Sequence, residues 1–134
     1  MSIKWGRVVV AVIVGEIVPL LALVAIVALT IPPDTADETA YAARIGAWVG
    51  PIGGSLMAFL GALWVGRTLE TGHRTHGVAV GFLLAVIDFI VLGITDTPVG
   101  VLVLGSNLAK IVFGFLGGVA ATRIQRPRRP TAIS

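Results

Sequence analysis

The chain has 134 residues, of which 56% are hydrophobic and 13% are charged, and it contains no cysteine. A soluble domain carries about 25% charged residues. Together with a mean hydropathy of +0.97, this composition excludes a soluble globular domain, a disordered chain and a disulfide scaffold. The formal net charge is +3, but most charges lie at the ends of apolar segments. That placement is typical of membrane topology and does not indicate binding to nucleic acid.

Four apolar segments predict an all-α integral membrane bundle of four transmembrane helices. Each segment approaches or exceeds the roughly 20 apolar residues that cross about 30 Å of hydrocarbon as a helix. The first segment is longer than the apolar part of a signal peptide, which has about 7–15 residues, so we expect it to be retained. The predicted spans are 8–31, 45–66, 77–95 and 98–122, within a single domain over residues 1–124.

The connections between the spans carry signals for helix ends. The prolines at 32–33 are expected to end helix 1, because proline cannot continue the hydrogen-bond ladder. Thr35 and Glu38 have the spacing of a capping box and are predicted to start helix 2. Residues 96–98 are expected to form a tight turn with Pro98 as the first residue of helix 4. Helices 3 and 4 are therefore predicted to form an antiparallel hairpin.

Lysine and arginine predict the orientation of the bundle. Outside the spans, all of these residues except Arg44 lie at the two termini or near the 67–76 loop. Because cytoplasmic loops carry the excess of Lys and Arg, both termini are predicted to be cytoplasmic. The basic, proline-containing tail at 125–134 is interpreted as a topology anchor, with binding to anionic lipid headgroups as the alternative. We expect the membrane to be a prokaryotic plasma membrane, and the abundance of Ala, Val and Gly, and of Arg over Lys, indicates a GC-rich genome.

Small residues predict close helix packing, which supplies much of the drive for helix association in lipid. Helix 2 carries a small-residue ridge, and helix 4 continues the pattern with two glycines. Whether the partner of the ridge is another helix or a second copy stays open, with a homo-oligomer favoured. Pro19 and Pro51 interrupt helices 1 and 2 and are either static kinks or hinges. The packing residues are Gly46, Gly50, Gly54, Ala58, Ala62 and Gly66 in helix 2, and Gly114 and Gly118 in helix 4.

Three ionisable residues inside the spans form the candidate proton or ion site. Glu16, Asp88 and Lys110 lie within about one helical turn of depth, from a rise of about 1.5 Å per residue. Asp88 and Lys110 are on adjacent antiparallel helices and are predicted to pair, which leaves Glu16 unpaired. Asn107, one turn from Lys110, extends the polar path. Such residues mark function by default, although a structural cluster that sets helix registry is the alternative.

These features favour a proton-linked transporter or channel-type protein. The alternative is a non-catalytic accessory subunit or assembly factor that packs through the ridge of helix 2. No enzyme activity and no cofactor are predicted, because no nucleophile–base pair or phosphate-binding loop is present. Glu70, His73 and His76 are spaced three apart, but we interpret them as a solvated loop without a metal.

Two resemblances accompany this interpretation. Segment 15–18 with Glu16, the chain length and the four spans resemble the small multidrug resistance transporters. In that family a glutamate of the first helix binds protons and cationic drugs, a role that would fall to Glu16 here. The chain is also similar to uncharacterised small four-helix bacterial membrane proteins, for which no activity is implied. The residues that carry this second resemblance are Gly66, Arg67, His76, Gly77 and Gly81.

Overall fold

The computed structural model of the protein describes residues 2–95 and 98–124. The described residues form four α-helices, so the predicted all-α class is confirmed. Each helix is long and apolar enough to cross a membrane. Residues 96–97 of the predicted turn and the basic tail at 125–134 lie outside the described residues. The helices are α1 (Trp5–Thr30), α2 (Glu38–Gly66), α3 (His73–Ile94) and α4 (Val101–Ile124).

The outer surface of the bundle is apolar. Leu29 and Val101 are each 86% exposed, and Trp48 is 71% exposed. A continuous apolar surface of this kind is rare on soluble monomers, and it suits contact with hydrocarbon. The surface is therefore consistent with a multi-pass membrane protein.

Two helix starts differ from the sequence prediction. Asp37 caps α2, since its Oδ1 accepts a hydrogen bond from the backbone N–H of Ala40 at 2.9 Å. The predicted capping box of Thr35 and Glu38 is therefore wrong: an Asp side chain satisfies the free N–H instead. Helix α4 begins at Val101, so Pro98 precedes the helix and is not its first residue.

The four helices are not packed equally on one another. Helices α2 and α3 each contact all three other helices, whereas α1 and α4 do not pack against each other within the described ranges. Helix α4 packs extensively on both α2 and α3. Helix α1 is therefore held by α2, with a smaller contact to α3.

Burial divides the bundle into two halves. The buried residues of α1 end at Gly15, and those of α3 end at Ala85. The buried residues of α2 begin at Gly54, and those of α4 begin at Asn107. Because neighbouring helices in this order are antiparallel, all buried residues belong to the same end of the bundle. We call that end the closed half, comprising residues 8–15, 54–66, 73–85 and 107–121. The open half comprises residues 16–30, 38–53, 86–94 and 101–106.

Glycines bring the backbones of α3 and α4 into direct contact in the closed half. A Cβ atom added to Gly77 would collide with the carbonyl oxygen of Gly114, and a Cβ atom on Gly114 would collide with that of Gly77. A Cβ atom on Gly118 would likewise meet the carbonyl oxygen of His73. Only glycine allows this approach, which is the small-residue packing expected of helices in lipid.

The ridge of α2 does not form one continuous interface. Gly54 and Gly66 face α4, so a helix of the same chain is their partner. Gly46 instead faces Leu23 of α1, and a Cβ atom on Gly50 would meet no neighbouring atom within 4 Å in the described part of the chain. The ridge therefore packs on α4 in the closed half, whereas in the open half its contact changes to α1 at Gly46. Its buried members are Gly54, Ala58, Ala62 and Gly66.

Candidate functional site

A cavity of about 640 Å³ lies between the four helices in the open half. Apolar side chains such as Leu20, Leu23 and Leu92 form most of its walls. The polar side chains lie where the cavity meets the closed half, and we call this layer the floor. The floor consists of Glu16, Asp88, Ser106, Asn107 and Lys110.

Asp88 and Lys110 form an ion pair in the floor. Lys110 Nζ donates a hydrogen bond to Asp88 Oδ2 at 2.5 Å. The side chain of Lys110 is 5% exposed and that of Asp88 is 28% exposed. The predicted pair between α3 and α4 is thus confirmed. Gly54 makes room for it, because a Cβ atom there would collide with Cε of Lys110. This second use of a ridge glycine is not evident from its spacing alone.

Two oxygen atoms of the floor are buried without a partner. Glu16 Oε1 and Asn107 Oδ1 make no hydrogen bond to any described residue. Buried polar atoms in native structures nearly always have partners, and those without one call for an explanation. Glu16 is the unpaired acid that the sequence predicts once Asp88 and Lys110 are matched.

The side-chain amide of Asn107 is held in one orientation. Asn107 is only 3% exposed, and its Nδ2 donates to the carbonyl oxygen of Val103 at 3.0 Å. The opposite assignment of the amide would place two acceptor oxygens against each other. The amide therefore presents Oδ1, an acceptor, toward its other neighbours. Asn107 lines the cavity, but its Oδ1 is itself buried beneath the cavity surface.

The two prolines inside helices also line the cavity. Both α1 and α2 continue as α-helix through Pro19 and Pro51. A Cβ atom on Gly53 would lie 3.1 Å from Cβ of Pro19, so α2 approaches α1 closely at this level. The prolines therefore lie at the start of the open half, and their role as hinges stays a prediction.

The interpretation of His73 and His76 as loop residues is wrong. Gly72, with φ 77°, caps α3, and both histidines lie in the first turn of that helix and are buried. His76 is 1% exposed. Its Nδ1 donates to the carbonyl oxygen of Gly72 at 2.8 Å, and its Nε2 accepts the backbone N–H of Lys4 at 3.0 Å. His76 thus fastens the N-terminal segment to α3. In the sequence, Gly72 was the available signal for the start of this helix, because glycine adopts the positive φ of such a cap without strain.

Within the described ranges, no group of three or more His, Cys, Asp or Glu side chains could hold a metal ion. Comparison with protein-family models, with curated proteins and with solved structures finds no match. What the chain can do must therefore be argued from its own geometry. That geometry defines the chain as an all-α bundle of four helices, each able to cross a membrane, with a polar floor inside an apolar cavity.

Proposed function

We propose that the protein is a small multi-pass membrane transporter that couples the passage of its ligand to a proton carried by Glu16. The observation that carries this proposal is Glu16, a residue of the cavity floor whose buried Oε1 has no hydrogen-bond partner among the described residues. A carboxyl group inside a membrane span costs free energy, so such a residue is by default a candidate for a functional role. A position facing a cavity gives this residue access to both a ligand and solvent protons.

Charge balance supports Glu16 as the proton carrier. Asp88 and Lys110 neutralise each other, so the floor carries one negative charge when Glu16 is ionised and none when it is protonated. Glu16 can therefore exchange a proton for a ligand without breaking the ion pair. In the low dielectric of a membrane, such an electroneutral exchange avoids leaving a net charge in the site.

The packing of the closed half favours a transporter over a permanently open channel. Backbone contacts such as Gly77 against Gly114 close the bundle beyond the floor. The cavity is then accessible from one side, and a change of conformation is required to expose Glu16 to the other. From the distribution of Lys and Arg we propose that the open half faces outward in a prokaryotic plasma membrane. A homo-oligomer stays a prediction.

Proton flux into proteoliposomes tests this function. We expect a flux in the wild type that is lost in Glu16→Gln, because glutamine keeps the size of the side chain but cannot carry a proton. Glu38→Gln is the matched control, since Glu38 is exposed at the start of α2, and it should keep the wild-type flux. Equal flux in Glu16→Gln and wild type would refute the role of Glu16. No flux in any of the three would favour the accessory-subunit alternative.

A further inference from the structure

His76 is a buried ionisable side chain that the proposed transport through Glu16 does not use. It lies in the first turn of α3 and is 1% exposed. Its Nδ1 lies 2.8 Å from the carbonyl oxygen of Gly72, and its Nε2 lies 3.0 Å from the backbone nitrogen of Lys4. A carbonyl oxygen can only accept a hydrogen bond, and a backbone N–H can only donate one. His76 is therefore neutral here, with its proton on Nδ1 and an acceptor at Nε2.

Protonation of His76 would set two hydrogen-bond donors against each other. A protonated imidazole donates from both nitrogens, so the N–H at Nε2 would meet the backbone N–H of Lys4. The bond from Nδ1 to Gly72 persists, because this nitrogen donates in both states. The ring thus stays on α3, and the bond that breaks is the one to the N-terminal segment, which we define as residues 2–4.

The bond to His76 holds the residue at which α1 begins. Lys4 is the N-cap of α1, and the contact of α1 with α3 is the smallest between any two packed helices of the described chain. Ile3 packs against the apolar core, and this contact does not change with pH, whereas Ser2 is exposed. Loss of the bond therefore frees the backbone around Lys4 to move away from α3 while α1 stays helical.

A cavity of about 350 Å³ beside the ring supplies an acceptor for the protonated state. His76 and Lys4 line this cavity together with Glu70 from the connection between α2 and α3, and a carboxylate accepts a charge-assisted bond from a protonated histidine. Of the other ionisable groups at this end of the bundle, His73 is buried and faces Gly66 of α2. The remainder are exposed, so solvent and salt screen them. These exposed groups are Arg7 of α1, Arg67 after α2, Arg74 of α3 and Arg123 of α4.

We propose that His76 is a pH-sensitive switch for the N-terminal segment. Neutral His76 holds the segment on α3, whereas protonated His76 releases it and donates from Nε2 to Glu70. Because only the released state accommodates the added proton, a fall in pH shifts the population toward release. Histidine ordinarily changes charge between about pH 5 and pH 8. In the orientation proposed above this end of the bundle faces the cytoplasm, so the switch responds to acidification there. This inference goes beyond the proposed function and does not depend on proton transport by Glu16.

A spin label on the N-terminal segment tests the switch. The chain contains no cysteine, so Ser2→Cys places a single nitroxide on the purified protein in detergent. We expect the immobilised fraction of its electron paramagnetic resonance spectrum to fall about twofold or more between about pH 8 and about pH 5. Leu29→Cys is the control, because Leu29 is 86% exposed at the other end of α1, and its label should give one spectrum throughout. An unchanged spectrum of the Ser2 label would overturn the proposal, as would an equal change at both positions.

Variants of the Ser2-labelled protein assign the response to His76. His76→Phe removes both ring nitrogens, so the label should be mobile over the whole pH range. His73→Gln is the matched control, since His73 is the other histidine of the chain, and it should respond as the wild type does. A label that stays immobilised in His76→Phe, or a response lost in His73→Gln, would overturn the role of His76. The wild-type comparison of the two label positions decides the matter even where a variant does not fold.

A third variant tests the acceptor of the released state. Glu70→Gln keeps the size of the side chain but removes the charge that receives the proton-bearing Nε2, so release should require a lower pH. An unchanged response would contradict the role of Glu70.

Discussion

Replacing Lys110 by methionine tests whether the Asp88–Lys110 pair stabilises the bundle. Methionine has a similar length but no charge, so the main change is an unpaired Asp88. Removing one partner of a buried ion pair costs about 3–5 kcal/mol. Because Asp88 retains 28% exposure, next to the cavity, we expect the lower end of that range, about 3 kcal/mol. The free energy of unfolding is measured by titrating sodium dodecyl sulfate into mixed micelles and following helicity by circular dichroism.

Two further variants complete this experiment. The double variant Asp88→Asn, Lys110→Met should recover most of the lost stability, because neutral replacement of a whole buried pair is often nearly neutral. Lys4→Met is the matched control: the side chain of Lys4 is exposed, so its loss should change stability by less than about 0.5 kcal/mol. The reasoning is refuted if Lys110→Met and Lys4→Met unfold at the same detergent concentration.

Two other substitutions test the packing of the closed half. Gly77→Ala forces a methyl group against the backbone of Gly114 and should lower the free energy of unfolding by at least the roughly 1–3 kcal/mol of overpacking. Gly93→Ala in the same helix is the control, because its methyl group meets no neighbouring atom within 4 Å in the described part of the chain, and it should unfold as the wild type does. Equal stabilities of the two variants would contradict the backbone contact. His76→Phe removes the acceptor for the backbone N–H of Lys4, so trypsin should cleave after Lys4 several-fold faster, and an unchanged rate would show that this bond does not hold the N-terminal segment.

The helices and the ion pair could be predicted because they follow from length and depth. An apolar segment of about 20 residues has few structures available to it in lipid. Once α3 and α4 are antiparallel neighbours, Asp88 and Lys110 lie at a similar depth on facing helices. The need to neutralise charge then brings them together. The same reasoning leaves Glu16 as the unmatched acid, without any knowledge of side-chain packing.

The division into an open and a closed half could not be predicted in this way. Recurring small residues show that a close approach is allowed, but not which helix makes it or where it stops. Gly50 and Gly54 are one turn apart on the same ridge, yet only Gly54 is buried, against Lys110 of α4. The role of His76 was missed for the same reason. Its acceptor is used by Lys4, 72 residues away in the chain, and local spacing carries no information about such a contact.

In the proposed function, the location of the floor places the charge pair at the level that a ligand reaches. In the closed half the backbones of α3 and α4 are in contact, so in the proposed function a ligand reaches Glu16 from the open half. Gly54 belongs to the contacts that close the bundle, and it also makes the space that Lys110 occupies. The ion pair itself joins α3 to α4, so a movement of α2 away from α4 would open this contact without separating Lys110 from Asp88. In the proposed transport cycle the closed half can therefore open on the side of α2 while the ion pair stays formed, in agreement with a proton exchange at Glu16 that leaves the pair intact.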